Sequence, residues 1–414
     1  MIEWFFFIPW GLWLVEAVAS LINGANYLRW SRDQDRAWSA GMEAESQLPV
    51  ALIVAIKGFD PRNTPPFFEA LKAQRYPRYR LILTMESADD PAASWVREHL
   101  GLDERATRWM SGSAQGLTEI LLVYAGACEA RGQKVHNQLA AFTRLNAEDA
   151  IVAFADADIH CGSDWLAKLT APINAGTHPV STTYRYFVPI RPTFINHLAT
   201  VINGSVATLG GREKWNSLWG GSMAISRKDF DEIDVPTLFA GSLNDDLRLG
   251  RACRRAGRRI AFVKSLLMPS PVDFTWRSFF EFGRRQYVQV RIFAPIFYKV
   301  SHLLTWAYLI GFSTAIIAIV GWNSRLAWAT LAIVFVCDQA RALARRGIVR
   351  HLFDAEMAGK IRGTFWIEHF LTPFWMLIHA TLTTSVLFKR EIRWAGIRYR
   401  ILAPDRTEVL GQKE

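Results

Sequence analysis

Three short acidic stretches hold the residue types most able to do chemistry: Glu86-Ser87-Ala88-Asp89-Asp90-Pro91, Ala155-Asp156-Ala157-Asp158 and Asn244-Asp245-Asp246. In the second, two carboxylates sit two residues apart and repel each other unless a cation stands between them. Mg²⁺ or Mn²⁺ suits such a place, because it takes oxygen ligands and typically binds one or two carboxylates together with substrate phosphates. The bland alternative is a structural loop, since a DxD pattern arises by chance about once in a chain of this size. In the third stretch, acids at a helix start offset the unpaired amides there. Alternatively, one of these carboxylates is a general base within hydrogen-bond reach of an acceptor hydroxyl. In the first, Asp-Asp-Pro makes a natural turn and helix start, and the same acids could accept hydrogen bonds from a base and a ribose. A fourth stretch, Trp276 to Pro295, interleaves aromatic residues with Arg277, Arg284, Arg285 and Arg291. It reads as an interfacial helix with one face in lipid, as a cationic strip that holds a departing diphosphate, or as both.

The acids need elements that deliver them to one place. Ala51–Ile56 is a short apolar run ending in Lys57-Gly58, as expected of a buried parallel strand. Asn63 to Gln74 has helical spacing, and Arg80–Met85, Ile120–Tyr124 and Ile151–Phe154 read as further strands. Strands alternating with helical patterns predict βαβ units, a mostly parallel sheet and an open α/β fold. Ligands of such sheets gather beyond the carboxyl ends of the strands. The first two acidic stretches lie just after strands, as does Lys57.

The chain has 414 residues, half of them hydrophobic and 21% charged, which excludes intrinsic disorder. Its 48 Lys and Arg against 38 Asp and Glu give a net charge of +10, so nucleic acid and an anionic membrane are both open as partners by charge alone. A mean hydropathy of +0.08 suits a soluble domain joined to a few membrane segments. Four scattered cysteines, in no CxxC pair, give no disulfide framework or zinc site.

Trp4 to Ile22 is long and apolar enough to cross a bilayer. Glu3 and the lack of an early Lys or Arg speak against a cleaved signal peptide, and Arg29, Arg32 and Arg36 put the following side in the cytoplasm. Apolarity returns at Leu303–Gly321, at Leu326–Cys337 and at Phe365–Phe388. The middle segment is short, so it must recruit flanking residues or enter only partway, and Arg341, Arg345, Arg346 and Arg350 beyond it again point to the cytoplasm. The expected layout is an anchor over 1–24, a cytoplasmic domain over 47–272, an interfacial amphipathic segment over 273–297, membrane segments over 298–390 and a basic cytoplasmic tail over 391–414. Four full crossings would put that tail outside, so a re-entrant or interfacial last segment is expected. Basic residues cluster at membrane-proximal positions, which makes nucleic acid a poor fit and the lipid bilayer the expected partner.

The order of these elements resembles the family-2-type inverting glycosyltransferases of the GT-A fold, and among them the ceramide glucosyltransferase family and its bacterial relatives. The resemblance runs from about Leu48 to Ile401. It rests on Lys57-Gly58-Phe59-Asp60-Pro61, Tyr76-Pro77-Arg78-Tyr79, Asp89-Asp90-Pro91-Ala92, Lys134-Val135-His136-Asn137, the Asp156 loop, Gly221-Ser222-Met223, Asp245-Asp246, Trp394 and Arg398-Tyr399-Arg400. It implies that Asp90 lies near uridine and that Lys57, Lys134 and Asn137 line the nucleotide pocket. Asp156 and Asp158 would hold Mg²⁺ or Mn²⁺, and Asp246 would be the general base. Where the family carries (Q/R)xxRW, this chain has Gly283-Arg284-Arg285-Gln286-Tyr287, so Gln-Tyr stands for Arg-Trp. Arg284 or Arg285 would supply the charge beside Gln286, and Tyr287 an aromatic wall.

The implied reaction moves a hexose from a UDP-sugar, UDP-glucose first among them, to a hydroxyl of a membrane lipid such as ceramide, with inversion to a β-glycolipid. The implied setting is a multi-pass protein of the cytoplasmic (inner) membrane with its catalytic domain facing the cytoplasm. A hopanoid or diacylglycerol acceptor is an alternative. A processive polysaccharide synthase would need a longer transmembrane channel and usually an intact QxxRW motif. A transporter or scaffold with a degenerate domain would have no need of three acidic loops.

Overall fold

The computed structural model describes residues 6–209 and 213–412, so residues 1–5 of the expected anchor, 210–212 of the expected cytoplasmic domain and 413–414 of the expected tail lie outside the described residues. The chain forms two units, each built from three separate stretches. One comprises 31–185, 212–270 and 390–414; the other comprises 1–30, 186–211 and 271–389.

The first unit is the α/β domain. Its sheet has eight strands in the order β3-β4-β2-β1-β5-β8-β6-β9. These are β1 (Val50–Ala55), β2 (Arg78–Met85), β3 (Arg108–Met110), β4 (Gly116–Tyr124), β5 (Ile151–Asp156), β6 (Val180–Thr182), β8 (Ser222–Ser226) and β9 (Ile260–Phe262). The centre, β4-β2-β1-β5, is parallel, and β8 then runs antiparallel to β5. Register pairs Ile53 with both Ile82 and Phe154. Alternate residues of β1 enter different cores: Leu52 and Val54 pack on one face, Ala51 and Ile53 on the other. Both faces are therefore covered, and the central strands read as unbroken apolar runs because neither side meets water. The covering helices include α2 (Thr64–Lys72), α3 (Pro91–His99), α4 (Gln133–Phe142), α5 (Trp165–Asn174), α7 (Arg227–Glu232), α8 (Val235–Phe239) and α9 (Asp246–Arg255).

The stretch expected as a basic tail is folded. It forms a three-stranded antiparallel sheet of β11 (Glu391–Trp394), β12 (Ile397–Ala403) and β13 (Arg406–Gln412) within the α/β unit. Ile397, Tyr399 and Ile401 are buried, while Arg398 and Arg400 face solvent. That is the two-residue alternation of a half-buried strand, hidden in sequence by its charged members. Ala395 and Gly396 turn the chain with φ of 49° and 83°, the positive values that a two-residue hairpin loop requires.

The second unit is helical. It takes in most of α1 (Phe7–Ala37), then α6 (Phe194–Ala207), α10 (Trp276–Phe293), α11 (Pro295–Trp322), α12 (Arg325–Leu352), α13 (Ala355–Ile361), α14 (Thr364–Phe370) and α15 (Thr372–Thr384). The strands β7 (Arg185–Pro189) and β10 (Met268–Val272) carry the chain from unit to unit. The soluble stretch expected over 47–272 is thus interrupted, because 186–211 belongs to the helical unit. Among the described residues three helices, α1, α11 and α12, are long and apolar enough to cross a membrane.

The short middle segment recruits its flanks, and α12 runs 28 residues, straight through the arginines expected beyond it. Arg341 and Arg345 are buried in the unit. Arg341 Nη1 lies 3.0 Å from Asp338 Oδ1, and Arg345 pairs with Glu368 of α14. The last segment breaks after Phe370, and Pro373 opens α15 where its missing N–H costs nothing.

Candidate active site

In the α/β unit, the acids and lysines singled out above come from loops and helix starts following β1, β2, β5 and β8, and from α4. The Lys134 ammonium, on the first turn of α4, is the hub. Its Nζ lies 2.6 Å from Asp156 Oδ1 and 2.8 Å from Asp245 Oδ2. Burial opposes that charge, yet Asp156, Asp245 and Asp246 together hold the amine above its ordinary value. Gln138, one turn further along α4, donates to Asp245 Oδ2 at 2.8 Å. Asp245 is 2% exposed. Burial raises its carboxyl, but Lys134 and Gln138 outweigh this and leave it below the usual carboxylate range.

Asp246, the first residue of α9, is the opposite case. Its Oδ2 accepts from the Gly220 amide at 2.8 Å and its Oδ1 from the Leu247 amide at 2.6 Å. Burial and the neighbouring charge of Asp245 push its carboxyl up to about 6. Asn244 relieves the helix start by accepting from Leu247 at 2.8 Å, so Asp246 is not consumed as the cap. Two adjacent carboxyls are thereby driven apart: one charged and structural, the other poised to take a proton near neutral pH. Gly220 is required for this packing, since a Cβ there would lie 2.8 Å from Lys134 Nζ and 2.9 Å from Asp245 Oδ2.

Asp156 ends β5, and Asp158 follows in an exposed turn. Protein crowded around the Asp158 carboxyl, and the charge of Asp156, raise it; Arg185 and Lys134 oppose. Arg185 sits over the Trp219 ring, 5.6 Å from its centroid, and Tyr184 meets the same ring edge-on. Lys57 pairs with Glu86 at 3.2 Å. Asp90 caps α3, accepting from Ala92 at 2.9 Å, and also accepts from the Gly58 amide at 3.0 Å. It therefore joins the β1 and β2 loops. Asn137 is buried and accepts from Gln133 Nε2 at 2.9 Å. Gln133 N in turn donates to the Tyr399 hydroxyl at 3.2 Å, which ties the C-terminal sheet to α4.

Arg284, Arg285, Gln286 and Tyr287 all lie on α10 in the helical unit. There Arg284 donates to Ser385 Oγ at 3.3 Å and stacks on Phe280, Arg285 stacks on Phe282, and Tyr287 bonds to His379.

Residues 11–406 match the profile described as glycosyl transferase family 21. The chain belongs to glycosyl transferase family 21. No curated protein matches it. Among solved structures it is similar to S. aureus TarS 1–349 in complex with UDP, with 12% identity, 88% of this chain and 100% of that one covered, and a TM-score of 0.35. GalNAc-T7 with UDP, GalNAc and Mn²⁺ gives 10% identity, 55% and 44% coverage, and 0.36. Glucosyl-3-phosphoglycerate synthase from Mycobacterium tuberculosis with phosphoglyceric acid gives 12%, 60% and 80%, and 0.35.

The α/β unit of this family 21 glycosyltransferase has the mostly parallel sheet centre expected of the GT-A fold. Among the described residues no three His, Cys, Asp or Glu side chains form a metal cluster. The pair Asp156 and Asp158 nevertheless suits an ion that takes most of its oxygens from phosphates. One Asp156 oxygen belongs to Lys134, and Asp158 is exposed beside a like charge that raises it. Three contributors escaped the sequence reading. Gln138 carried no motif, Arg185 stands alone in Thr183-Tyr184-Arg185-Tyr186, and Gly220 became legible only through the contact its hydrogen leaves room for.

Proposed function

We propose that the chain transfers a hexose from a UDP-sugar, UDP-glucose first among the donors, to a hydroxyl of a membrane lipid such as ceramide, with inversion. The observation that carries this reading is Asp246: a carboxylate fixed by two backbone amides, with its carboxyl pushed up to about 6, in the same cluster as Asp156 and Lys134. Such a group is charged at neutral pH and still basic enough to accept a proton as a bond forms. The lipid oxygen attacks the anomeric carbon while its proton passes to the Asp246 carboxylate. The bond from that carbon to the UDP oxygen breaks on the opposite face, so an α-linked donor gives a β-glycoside. UDP leaves with the bonding electron pair.

Lys134 and Arg185 supply positive charge where the leaving diphosphate gains negative charge. Lys57 and Asp90 line the nucleotide side, and Asn137 braces α4 from within. Asp156 and Asp158 would hold Mg²⁺ or Mn²⁺, which neutralises the departing diphosphate as a Lewis acid. On α10, Arg284, Arg285, Gln286 and Tyr287 occupy the sequence position of the family's (Q/R)xxRW motif.

Topology supports a lipid acceptor. The strands before residue 271 and those after residue 389 share one unit, so the intervening chain crosses a bilayer an even number of times. The helices α11 and α12 account for two crossings. At 13 residues, α15 reaches only about 20 Å, short of a core of about 30 Å, and so rests in the interface. Arg29, Arg32 and Arg36, by the positive-inside bias, support a catalytic unit on the cytoplasmic side of the membrane.

The test is to incubate purified full-length protein with separate UDP-sugars and extracted membrane lipids and to identify products by mass spectrometry. A lipid one hexose heavier, with a β-linkage, is expected. A product lengthened by many sugars would replace this reading with a polysaccharide synthase, and none with any donor would refute it.

A further inference from the structure

Beyond the residues of the transfer site, α9 carries a second concentration of charge. Six arginines fall between positions 248 and 259. Arg258 is neutralised by Asp229, at 2.7 Å, and by Glu232; Arg259 pairs with Glu213 at 2.8 Å; and Arg254 donates to the Asn216 carbonyl at 2.8 Å. Among the described residues, Arg248, Arg251 and Arg255 have no ion pair. They are spaced three and four apart and share one helix face. All three line one cavity of about 440 Å³, whose wall also includes Ile233, Leu238, Arg258 and Glu232, a carboxylate that Arg258 neutralises. None of Lys134, Asp156, Asp158, Asp245 or Asp246 lines it.

Local physics does not explain this arrangement. Cations at a helix C-terminus answer its partial negative charge, which accounts for Arg254 and Arg255. Arg248, however, lies in the first turn of α9, where the helix end is positive and a cation is disfavoured. Like charges three or four residues apart oppose one another as well. Partial burial and the charges of Arg255 and Arg248 hold the Arg251 guanidinium below its ordinary value. A concave wall of three guanidiniums without an ion pair, Arg248 Nε donating to the Leu238 carbonyl at 3.5 Å, is the chemistry that recognises phosphate, whose oxygens take forked N–H donors.

We propose that the cavity lined by Arg248, Arg251 and Arg255 is an anion site, separate from the sugar-transfer centre, that takes a phosphate group from a phospholipid headgroup or a soluble phosphate ester. Because α9 begins at Asp246, an occupant braces the helix that presents the base.

The test uses the full chain in phosphatidylcholine nanodiscs with UDP saturating, and titrates inorganic pyrophosphate by calorimetry. One pyrophosphate site is expected, weakened about tenfold or more in R248Q/R251Q/R255Q, weakened less in R248K/R251K/R255K, which keeps the charge and loses the fork, and retained in D156N/D158N. Absence of that site, or equal binding by the glutamine variant, overturns the proposal. Repeating the titration in phosphatidylglycerol nanodiscs separates the sources: weaker pyrophosphate binding there assigns the site to a headgroup, and unchanged binding to a soluble phosphate. Should the glutamine variant unfold, phenylglyoxal labelling of wild type decides the matter. Pyrophosphate should shield Arg248, Arg251 and Arg255, and undiminished labelling refutes the site.

Discussion

Replacing Asp246 by asparagine removes a charge that the fold holds at a cost. Its carboxyl sits at about 6 in the folded protein against an ordinary 3.8, so the folded state binds its proton more tightly than the unfolded chain does. Stability contributed by this group is therefore lost as pH rises from about 4 to about 6, and above 6 the loss is complete. At pH 7.5 it amounts to about 3 kcal/mol. Asn relieves that penalty but has one acceptor oxygen for two donors, the Gly220 and Leu247 amides, and forfeits about 1 kcal/mol. The net expectation for Asp246→Asn is a gain of about 2 kcal/mol at pH 7.5. At pH 3 the Asp246 carboxyl is protonated in the folded and unfolded states alike, the relief vanishes, and a deficit of about 1 kcal/mol remains. For a cooperative unit of this size, that is a thermal midpoint about 4–8 °C higher at pH 7.5 and about 2–4 °C lower at pH 3. Tryptophan fluorescence melts of the detergent-solubilised chain read both, alongside a transfer assay in which the variant should be inactive while still binding UDP-sugar. A midpoint shift of the same sign at both pH values would refute the claim that the fold raises this carboxyl, and full turnover would remove Asp246 as the base.

Three further outcomes follow from the same contacts. Asp245→Asn removes the charge that, after burial, raises Asp246 most; the acid limb of kcat/KM, expected near pH 6 in wild type, should move lower, and an unmoved limb would show that Asp245 does not tune the base. Asp158→Ala should flatten the dependence of UDP-sugar affinity on added Mg²⁺ or Mn²⁺, and an unchanged titration would reject Asp158 as a ligand. Glu368→Gln leaves Arg345, only 5% exposed at its side chain, without its counter-charge. That should cost about 3–5 kcal/mol in detergent unfolding, with most of it recovered by Arg345→Met with Glu368→Leu; a Glu368→Gln variant as stable as wild type would contradict the pairing.

Elements with one dominant period were legible. The buried runs at Ala51–Ile56 and Ile151–Phe154 became β1 and β5 within a residue or two, because neither face of those strands meets water. Elements that mix charge into an apolar pattern were not. Arg341 and Arg345 read as cytoplasmic markers, yet their carboxylate partners, Asp338 and Glu368, let them sit inside a helix bundle. The alternation of Ile397, Tyr399 and Ile401 was masked by the arginines between them. Nor does local sequence announce that 186–211 leaves the α/β unit, since only tertiary packing decides which core an amphipathic helix such as α6 joins.

The site shows the same limit in sharper form. Paired acids after β5 need a cation between them, and the sequence points to a metal shared by Asp156 and Asp158. The structure supplies a covalent cation, the Lys134 ammonium, and shares it between Asp156 and Asp245, residues 89 positions apart. Asp156 is thus largely neutralised by the chain itself, which makes Asp158 the carboxylate whose charge still calls for an ion. The same lysine keeps Asp245 charged, and a charged Asp245 raises Asp246. In the reaction proposed above, Lys134 would therefore bear on both halves, the leaving diphosphate through Asp156 and the attacking hydroxyl through Asp245. No spacing rule could have joined these acids, because the link runs through a side chain on a different helix.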